Sequence, residues 1–329
     1  MQYLKKNRLS ASSFVEGVLA GDKVVLSQAI TLIESKLASD QDLAMTVLDQ
    51  ILPHAGQSTR VGITGVPGVG KSTFIEVLGR HLLSEGHKLA VLAIDPSSQR
   101  TKGSILGDKT RMDWLSKQAG AFIRPSPTGL SLGGVSHHTR EAILLCEAAG
   151  FDVILVETVG VGQSETVVHD MVDFFLLLML AGAGDELQGI KKGIVEMADL
   201  IAITKADGSN EQSAAEAKVS YQNALHLLTP QALWQAPVVT CSAVEDRGID
   251  HIWKVVQEHQ QQTAEHKKSR RSQQRLVWLQ DCIKLQLDRF IDHHPQLKDH
   301  LRAMEGKVAE GSLLPARAAQ DLLNEILKK

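Results

Sequence analysis

Short apolar runs alternate with helical patterns through the middle of the chain. Seven such runs follow one another from residue 60 onwards: RVGIT, KLAVLAID, AFIRP, DVILVET, DFFLLLMLA, LIAIT and PVVTCS. Strands that are apolar on both faces and alternate with helices predict a mostly parallel sheet covered by helices on both sides. Ligands of such sheets bind beyond the carboxyl ends of the strands. The polar residues that follow each run are therefore the candidates for chemistry.

Both ends of the chain show a helical pattern without strands. Residues 9–52 carry apolar side chains three and four positions apart, which predicts two or three amphipathic helices separated at Gly21 and ended by Pro53. From about residue 250 the pattern is again helical. The polar, basic stretch AEHKKSRRSQQR lies within it, and we interpret this stretch as either a linker or an exposed part of a long helix.

One predicted C-terminal helix carries an apolar stripe that needs a partner surface. The stripe is formed by Leu276, Val277, Leu279, Ile283, Leu287, Phe290 and Ile291. We expect this helical arm to pack on its own domain or on a second subunit.

Composition narrows the class of protein but names no partner. The 329 residues are 43% hydrophobic and 22% charged, with a formal net charge of -3, which is typical of a soluble globular protein and gives no electrostatic reason to expect nucleic acid. Cys146, Cys241 and Cys282 are far apart, so neither a disulfide framework nor a thiolate metal site is indicated. The apolar run from Phe174 is too short to cross a bilayer. We expect a cytoplasmic protein that contacts neither membrane nor nucleic acid.

The strongest motif is a phosphate-binding loop between a predicted strand and a predicted helix. GVPGVGKST has the pattern GxxxxGK[ST] and comprises Gly65, Val66, Pro67, Gly68, Val69, Gly70, Lys71, Ser72 and Thr73. Its glycines let successive backbone N–H groups surround phosphate oxygens at a helix N-terminus. Lys71 is expected to contact the β- and γ-phosphates and Ser72 to bind Mg²⁺. The alternative is a structural turn that binds no ligand.

A second motif selects the base. Thr204-Lys205-Ala206-Asp207 follows the run LIAIT, and one carboxylate at Asp207 can accept both N1–H and N2–H of guanine, which adenine cannot offer. The stem of Lys205 would lie along the ring. The alternative is that Asp207 caps a helix. Threonine instead of the commoner asparagine at position 204 is expected to weaken base affinity.

The run PVVTCS extends the base site. It ends at Ser242, and the backbone N–H groups of Ser242, Ala243 and Val244 are expected to meet the guanine O6. Because Asp207 can pair with guanine but not with adenine, we predict that the site binds GTP or GDP rather than ATP.

Three carboxylates follow predicted strands or loops near the phosphates. Glu157 ends the run DVILVET, where the magnesium shell of a phosphate-loop protein needs an outer carboxylate. Asp95 ends KLAVLAID, and Asp108 lies in the Gly-rich stretch GSILGDKTRM. Asp95 could instead form an Asx turn, and Asp108 could cap the helix that follows it.

Hydrolysis is predicted to be slow. Well-studied switch proteins place a glutamine directly after the glycine that faces the γ-phosphate. Here Val161 follows Gly160, and Gln163 comes later. Arg111 is a candidate for stabilising the transferred phosphate by position alone.

Taken together, these motifs resemble the MeaB/ArgK family of GTPases, the bacterial counterparts of the human protein affected in cblA-type methylmalonic aciduria. The similarity covers nearly the whole chain, since the following motifs occur in family order and spacing: GVPGVGKST, AIDPSSQRTKGSILGDKTRM, RPSPTGLSLGGV, VETVGVGQSE, GDELQGIKKGI and TKAD. The resemblance implies a homodimer formed through the C-terminal helices. It also implies a chaperone that gates cobalamin loading and protects adenosylcobalamin-dependent methylmalonyl-CoA mutase. Asp95, Asp108 and Glu157 would belong to the magnesium and switch machinery, with Lys71, Asp108 and Glu157 acting in hydrolysis.

The resemblance further assigns a partner-sensing loop, AGAGDELQGIKK. Asp185, Gln188 and Lys191 are the residues implied to relay the nucleotide state to the mutase. From the residues alone this is a Gly-rich connection beyond a buried strand, and the alternative is a plain solvated loop.

We therefore predict an α/β P-loop NTPase in three segments. Residues 1–55 form an N-terminal helical segment, 56–265 the P-loop GTPase domain, and 266–329 a C-terminal helical dimerisation arm. Two other functions remain open: an ATP-dependent kinase linked to amino-acid transport, and a scaffold that holds nucleotide without hydrolysing it.

Overall fold

Residues 8–94, 112–125, 132–158, 164–182, 192–228, 233–293 and 295–327 are described by the structure, a computed structural model. Contacts divide the chain into two compact units, Met1–Gln274 and Arg275–Lys329. The predicted three-segment division is a finer one and stays a prediction.

Three helices precede the sheet: α1 (Ala11–Leu19), α2 (Lys23–Ile33) and α3 (Ala38–Ile51). Asp22 begins α2, because its carboxylate accepts hydrogen bonds from the N–H groups of Val24 and Val25. Gly21 has a φ of +74° and lets the chain turn from α1 into α2. The buried apolar faces of these helices belong to the same core as the sheet.

All seven apolar runs form strands of one parallel sheet, as predicted. Their order is β3-β2-β4-β1-β5-β6-β7. The strands are β1 (Thr59–Gly65), β2 (Leu89–Ile94), β3 (Ala121–Arg124), β4 (Val153–Thr158), β5 (Phe174–Leu180), β6 (Leu200–Thr204) and β7 (Val238–Thr240). The helices between strands are α4 (Lys71–Ser84), α5 (Leu132–Ala148), α6 (Ser164–His169), α7 (Lys192–Met197) and α8 (Glu211–Leu228), and α9 (Ile249–Gln262) follows the last strand.

The register brings the polar strand ends to one edge of the sheet. Ile63 pairs with Glu157, and Gly65 pairs with Leu178. Leu180 pairs with Thr204 at the end of β6. The phosphate loop, Glu157 and the base motif therefore leave the sheet side by side.

The basic stretch AEHKKSRRSQQR is helical, so the linker interpretation is wrong. It begins α10 (Ala264–His293), which contains the boundary between the two units. The exposed-helix interpretation holds for most of the stretch, but Lys267, Arg270 and Gln274 are partly buried and Arg271 is only 7% exposed. Its guanidinium donates to both carboxylate oxygens of Asp173, at 2.7 and 2.6 Å, and to the carbonyl oxygens of Gly56 and Ser58.

The second unit has a small core of its own. It is formed by α11 (Pro295–Ala309) and α12 (Pro315–Leu327) around Leu297, Met304, Ala318 and Leu322, with Ile291 of α10 packed against it. Five apolar residues of α10 stay 49% to 55% exposed: Leu276, Leu279, Ile283, Leu287 and Phe290. In the parts of the chain that the structure describes, no helix is both long and apolar enough to span a membrane.

Candidate nucleotide-binding site

The phosphate loop connects β1 to α4 through glycines with positive φ angles. Gly68 and Gly70 have φ values of +77° and +95°, and Gly70 is the N-cap of α4. Gly65 approaches β5 so closely that a Cβ atom there would lie 2.4 Å from the carbonyl oxygen of Leu178. Glycine is therefore required at Gly65 by packing and at the other two positions by backbone conformation. The helix N-terminus directly behind the loop is a general site for anions.

Lys71 lies folded along this loop. Its Nζ donates to the carbonyl oxygen of Gly65 at 2.8 Å and is 3.3 Å from that of Val66. Burial lowers the pKa of Lys71, whereas the negative charges of Glu157 and Glu165 act to raise it. Glu165, on the first turn of α6, is 2% exposed. Sequence reasoning gave it no role, because its proximity to Lys71 depends on how α6 packs behind the loop.

Ser72 and Glu157 lie together, as the sequence predicts for a magnesium site. The Oγ of Ser72 donates to Oε1 of Glu157 over 3.2 Å, and both side chains are buried. Next to them, Thr158 donates to the hydroxyl of Thr64 at 2.8 Å. A hydroxyl and a carboxylate are hard oxygen donors of the kind that Mg²⁺ prefers. This donor pair therefore fits the ion.

The carboxylate of Asp207 is held by Ser242, which ends the neighbouring strand. Ser242 Oγ donates to Asp207 Oδ2 at 2.5 Å and accepts a hydrogen bond from the N–H of Glu245 at 3.1 Å. A short 3-10 helix, Gly208–Asn210, begins after Asp207, but the Asp207 side chain makes no capping hydrogen bond to it. The helix-cap alternative is thus not how this carboxylate is used. Lys205, two residues before Asp207, has a φ of +55° and an exposed side chain.

Thr204 joins the base motif to the phosphate loop. Its hydroxyl lies 2.8 Å from the carbonyl oxygen of Val69 and 3.2 Å from that of Met179. This contact crosses from β6 to the phosphate loop. Thr204 and Ala206 are buried, whereas Lys205 between them is exposed.

The loop after β7 is closed and fastened to α4. Backbone hydrogen bonds join Ser242 and Arg247 in both directions at 2.9 Å. The N–H of Ser242 is therefore used within the loop and is not free to meet guanine O6, as the sequence had predicted. At the loop tip, Asp246 Oδ1 lies 2.7 Å from Nε2 of His81 on α4. Ala243 and Val244 lie within this loop, and Val244 is exposed. Neither His81 nor Arg247 was singled out from the sequence.

Glu76 is a further residue that sequence reasoning missed. It follows Ser72 by one turn of α4 and accepts hydrogen bonds from the N–H groups of Trp114, at 3.0 Å, and Leu115, at 3.3 Å. The Arg80 guanidinium lies 5.2 Å from the Trp114 ring centre. Residues 112–118 are thereby attached to the helix that follows the phosphate loop.

Several predicted site residues lie outside the described residues. They are Asp95, Asp108, Arg111, Gly160, Val161, Gln163, Asp185, Gln188 and Lys191. The described part of the site brings together Lys71, Ser72, Glu157, Thr204 and Asp207 on one edge of the sheet.

Known proteins share both the sequence and the fold. A model of the family described as "Methylmalonyl Co-A mutase-associated GTPase MeaB" matches residues 26–295. The chain is 53% identical over 251 residues to GTPase ArgK of Escherichia coli (strain K12), covering 76% of each chain. It is 45% identical over 320 residues to the mitochondrial methylmalonic aciduria type A homolog of Mus musculus, covering 93% of this chain and 77% of that one.

A solved structure extends the similarity to three dimensions. A crystal structure described as "LAO/AO transport system kinase" has a TM-score of 0.77 and 37% identity, with all of both chains covered. The family model spans most of the chain, and the sequence identities are far above what a shared fold alone requires. The chain therefore belongs to the MeaB family of methylmalonyl-CoA mutase-associated GTPases.

Proposed function

We propose that this GTPase binds GTP with Mg²⁺, hydrolyses it slowly by itself, and serves as a chaperone for adenosylcobalamin-dependent methylmalonyl-CoA mutase. The observation that carries the nucleotide assignment is the position of the Asp207 carboxylate, held at 2.5 Å by Ser242 on the same sheet edge as Lys71. Asp207 accepts two hydrogen bonds from guanine. Lys71 exchanges its loop carbonyl contacts for the β- and γ-phosphates, which supply the negative charge that a buried ammonium group needs.

Ser72 and Glu157 are the described residues proposed to hold Mg²⁺. The ion would neutralise negative charge that develops on the phosphate oxygens. Ser72 would hold it through its hydroxyl, and Glu157 would help to hold it through its carboxylate. Asp95 and Asp108 are the other two carboxylates that we propose for this magnesium site.

The proposed slow rate rests on the sequence of the segment that begins at Gly160. Gly160 is followed by Val161, so no glutamine occupies the position that orients the attacking water in well-studied switch proteins. We propose that the mutase positions Asp108 and the segment after Gly160 for hydrolysis, and that hydrolysis then times its release. Asp185, Gln188 and Lys191 relay the nucleotide state to the mutase.

The chaperone role is supported by the family, whose description names the mutase, and by the mouse relative, which is named for methylmalonic aciduria. In this proposal the GTP-bound and GDP-bound forms of the protein differ in how they control the binding of cobalamin to the mutase. The protein also protects the mutase once it holds its cofactor. The cytoplasm is the proposed compartment. A reducing environment suits the free thiols of Cys146, Cys241 and Cys282.

We further propose a homodimer through α10. The exposed residues Leu276, Leu279, Ile283, Leu287 and Phe290 recur at intervals of three and four, which is the spacing of a coiled-coil seam. A second copy of the same stripe would cover it. Ile283→Asp is expected to convert a dimer into a monomer in sedimentation, while the control Asp288→Lys, an exposed position on the far side of the helix from the stripe, leaves the dimer intact. A wild-type monomer would contradict this arrangement.

The chaperone proposal is tested by cofactor transfer. Uptake of adenosylcobalamin by apo-mutase is followed by absorbance in the presence of this protein loaded with GTP or with GDP. We expect the two rates to differ, and Gln188→Ala to remove the difference without changing GDP affinity. Gln212→Ala, an exposed residue paired with Glu216 at 3.1 Å, is the control. Equal rates, with no complex on gel filtration, would remove the chaperone role and leave the nucleotide site intact.

The kinase alternative has one observation in its favour, the description of the solved relative as a transport system kinase. It requires adenine at the base site, where Asp207 finds no pair of N–H donors. Transfer of phosphate from ATP to an amino-acid binding protein would support it.

A further inference from the structure

Arg247 contacts the base motif at the peptide that precedes its selective carboxylate. Its Nη2 donates to the carbonyl oxygen of Ala206 and, over 2.7 Å, to Oε1 of Glu211. An Nη2 group carries two hydrogens, so both bonds form together. The carbonyl of Ala206 belongs to the peptide that leads into Asp207. Orienting that peptide sets the direction in which the Asp207 side chain leaves the backbone.

The same loop holds Asp207 from its other end. Ser242, which pairs with Arg247 through two backbone hydrogen bonds of 2.9 Å, donates its hydroxyl to the Asp207 carboxylate. Ser242 thus holds the Asp207 side chain, and Arg247 holds the peptide that precedes Asp207. Gly248 follows with a φ of +79°, and a Cβ atom there would lie 2.7 Å from the carbonyl oxygen of Thr240. The end of the loop therefore packs closely against the end of β7.

The groups around Arg247 favour one orientation of its guanidinium. Glu211, at the start of α8, accepts one of its hydrogen bonds, and Glu245 lies 3.3 Å away. The side chain is 52% exposed, so it does not belong to the core. Its contacts are to the base motif and to two flanking carboxylates, which indicates a role in the motif rather than in packing.

We propose that Arg247 is a positioning residue for guanine recognition, holding the Ala206–Asp207 peptide so that the Asp207 carboxylate meets both N1–H and N2–H of the base. The inference rests on the proposed role of Asp207. It adds a residue that sets specificity without touching the nucleotide. Displacement of Asp207 weakens two hydrogen bonds to guanine, but only one to hypoxanthine, which has no 2-amino group.

The test compares GDP with IDP, the hypoxanthine nucleotide, by calorimetry. A hydrogen bond to a charged group is worth roughly a tenfold change in affinity, and a displaced Asp207 would weaken each of its bonds to the base by about threefold. Arg247→Ala should therefore raise the Kd about tenfold for GDP, which makes two such bonds, and about threefold for IDP, which makes one. Arg247→Lys keeps the charge and should restore part of the preference for GDP. Lys254→Ala, which removes an exposed cation paired with Asp250 at 3.3 Å, is the control and should change neither Kd.

The variant is expected to fold, because the loop closure uses backbone atoms. Folded Arg247→Ala protein with unchanged affinities, or with both affinities weakened by the same factor, would overturn the inference. If Arg247→Ala unfolds, Glu211→Ala decides, because it removes the side-chain acceptor of Arg247: a smaller preference for GDP over IDP supports the inference and an unchanged preference overturns it. A wild-type protein that binds GDP and IDP equally would instead refute the proposed role of Asp207, and with it this inference. The wild-type control thus separates the two failures.

Discussion

Thr204 and Val69 connect the two halves of the nucleotide site: the Oγ1 of Thr204 lies 2.8 Å from the carbonyl oxygen of Val69. Val69 belongs to the phosphate loop, and Thr204 opens the base motif. The hydroxyl has one hydrogen, which it shares between Val69 and the more distant carbonyl of Met179. The Thr204 side chain therefore links the base motif directly to the phosphate loop. Threonine keeps this connection, and the expectation that it weakens base affinity stays a prediction.

Thr204→Val removes the hydroxyl and keeps the shape. We expect the Kd values for GDP and GTP to rise together, by roughly tenfold, because the loop loses its connection to the base motif. The free energy of unfolding should fall by about 1–3 kcal/mol, since a buried carbonyl loses its donor. Fluorescent-nucleotide titration and urea unfolding measure the two effects. Thr46→Val is the control, because its hydroxyl bonds only within α3, to the Asp42 carbonyl. Unchanged affinity in Thr204→Val would refute the coupling.

Asp207→Asn should change the preferred nucleotide. Xanthine carries a carbonyl where guanine carries its 2-amino group, so an amide side chain that donates a hydrogen bond favours xanthosine triphosphate over GTP. Competition binding with the two triphosphates measures the preference. Asp246→Asn, in the loop that contacts His81, is the matched control and should retain GTP. If Asp207→Asn also retains its preference for GTP, the base assignment is wrong.

If Ser72 and Glu157 hold Mg²⁺, removing either donor should lower the affinity of the GTP-bound site for Mg²⁺. Ser72→Ala and Glu157→Gln should each raise the Mg²⁺ concentration for half-maximal GTP binding by about tenfold, since each removes an oxygen donor or its charge. GDP binding in the presence of a chelator should change little. Ser84→Ala removes an exposed hydroxyl that bonds to the His81 carbonyl at the end of the same helix, and serves as the control. A normal Mg²⁺ titration in both site variants would place the ion elsewhere.

The buried ion pair of Glu147 and Arg60 predicts part of the acid sensitivity of folding. Burial by itself raises the pKa of Glu147, but hydrogen bonds and charge from Arg60, with Ser58 and Gly56, outweigh it and lower the pKa. A carboxyl whose pKa is lowered by folding stabilises the protein above its unfolded pKa, roughly 4.3. This stabilisation is lost as the pH falls through the folded pKa.

Glu147→Gln should therefore lower the free energy of unfolding by about 3–5 kcal/mol at pH 7, because Arg60 is left without its partner. The same variant should lose less stability than wild type between pH 5 and pH 3. Urea unfolding at several pH values measures both. Asp250→Asn removes an exposed pair with Lys254 and should behave nearly as wild type at pH 7. An acid limb identical to wild type in Glu147→Gln would contradict this account.

The site was predictable where its residues follow strands. Asp207 and Ser242 are 35 residues apart, yet both follow strands of the predicted sheet, and β6 and β7 turn out to be neighbours. The loop from Gly65 to Ser72 was predictable for a similar reason, because its glycines and lysine are local.

Other contacts were not predictable, since they depend on how helices pack. Arg271 reaches Asp173 across 98 residues, from a stretch whose composition indicates a solvated surface. Arg247 and Glu76 contact backbone atoms, which accept or donate hydrogen bonds whatever the residue type. A pattern of side chains therefore carries no signal for them. Such contacts help to position the phosphate loop and the base motif, which the sequence does identify.

The central claim is tested most directly by GTP hydrolysis by the purified protein, with and without methylmalonyl-CoA mutase, and with ATP as the control. We predict slow turnover of GTP alone, negligible turnover of ATP, and a rise of roughly tenfold or more in GTP turnover when the mutase completes the site. ATP turnover equal to that of GTP, or a GTP rate that the mutase leaves unchanged, would contradict the account.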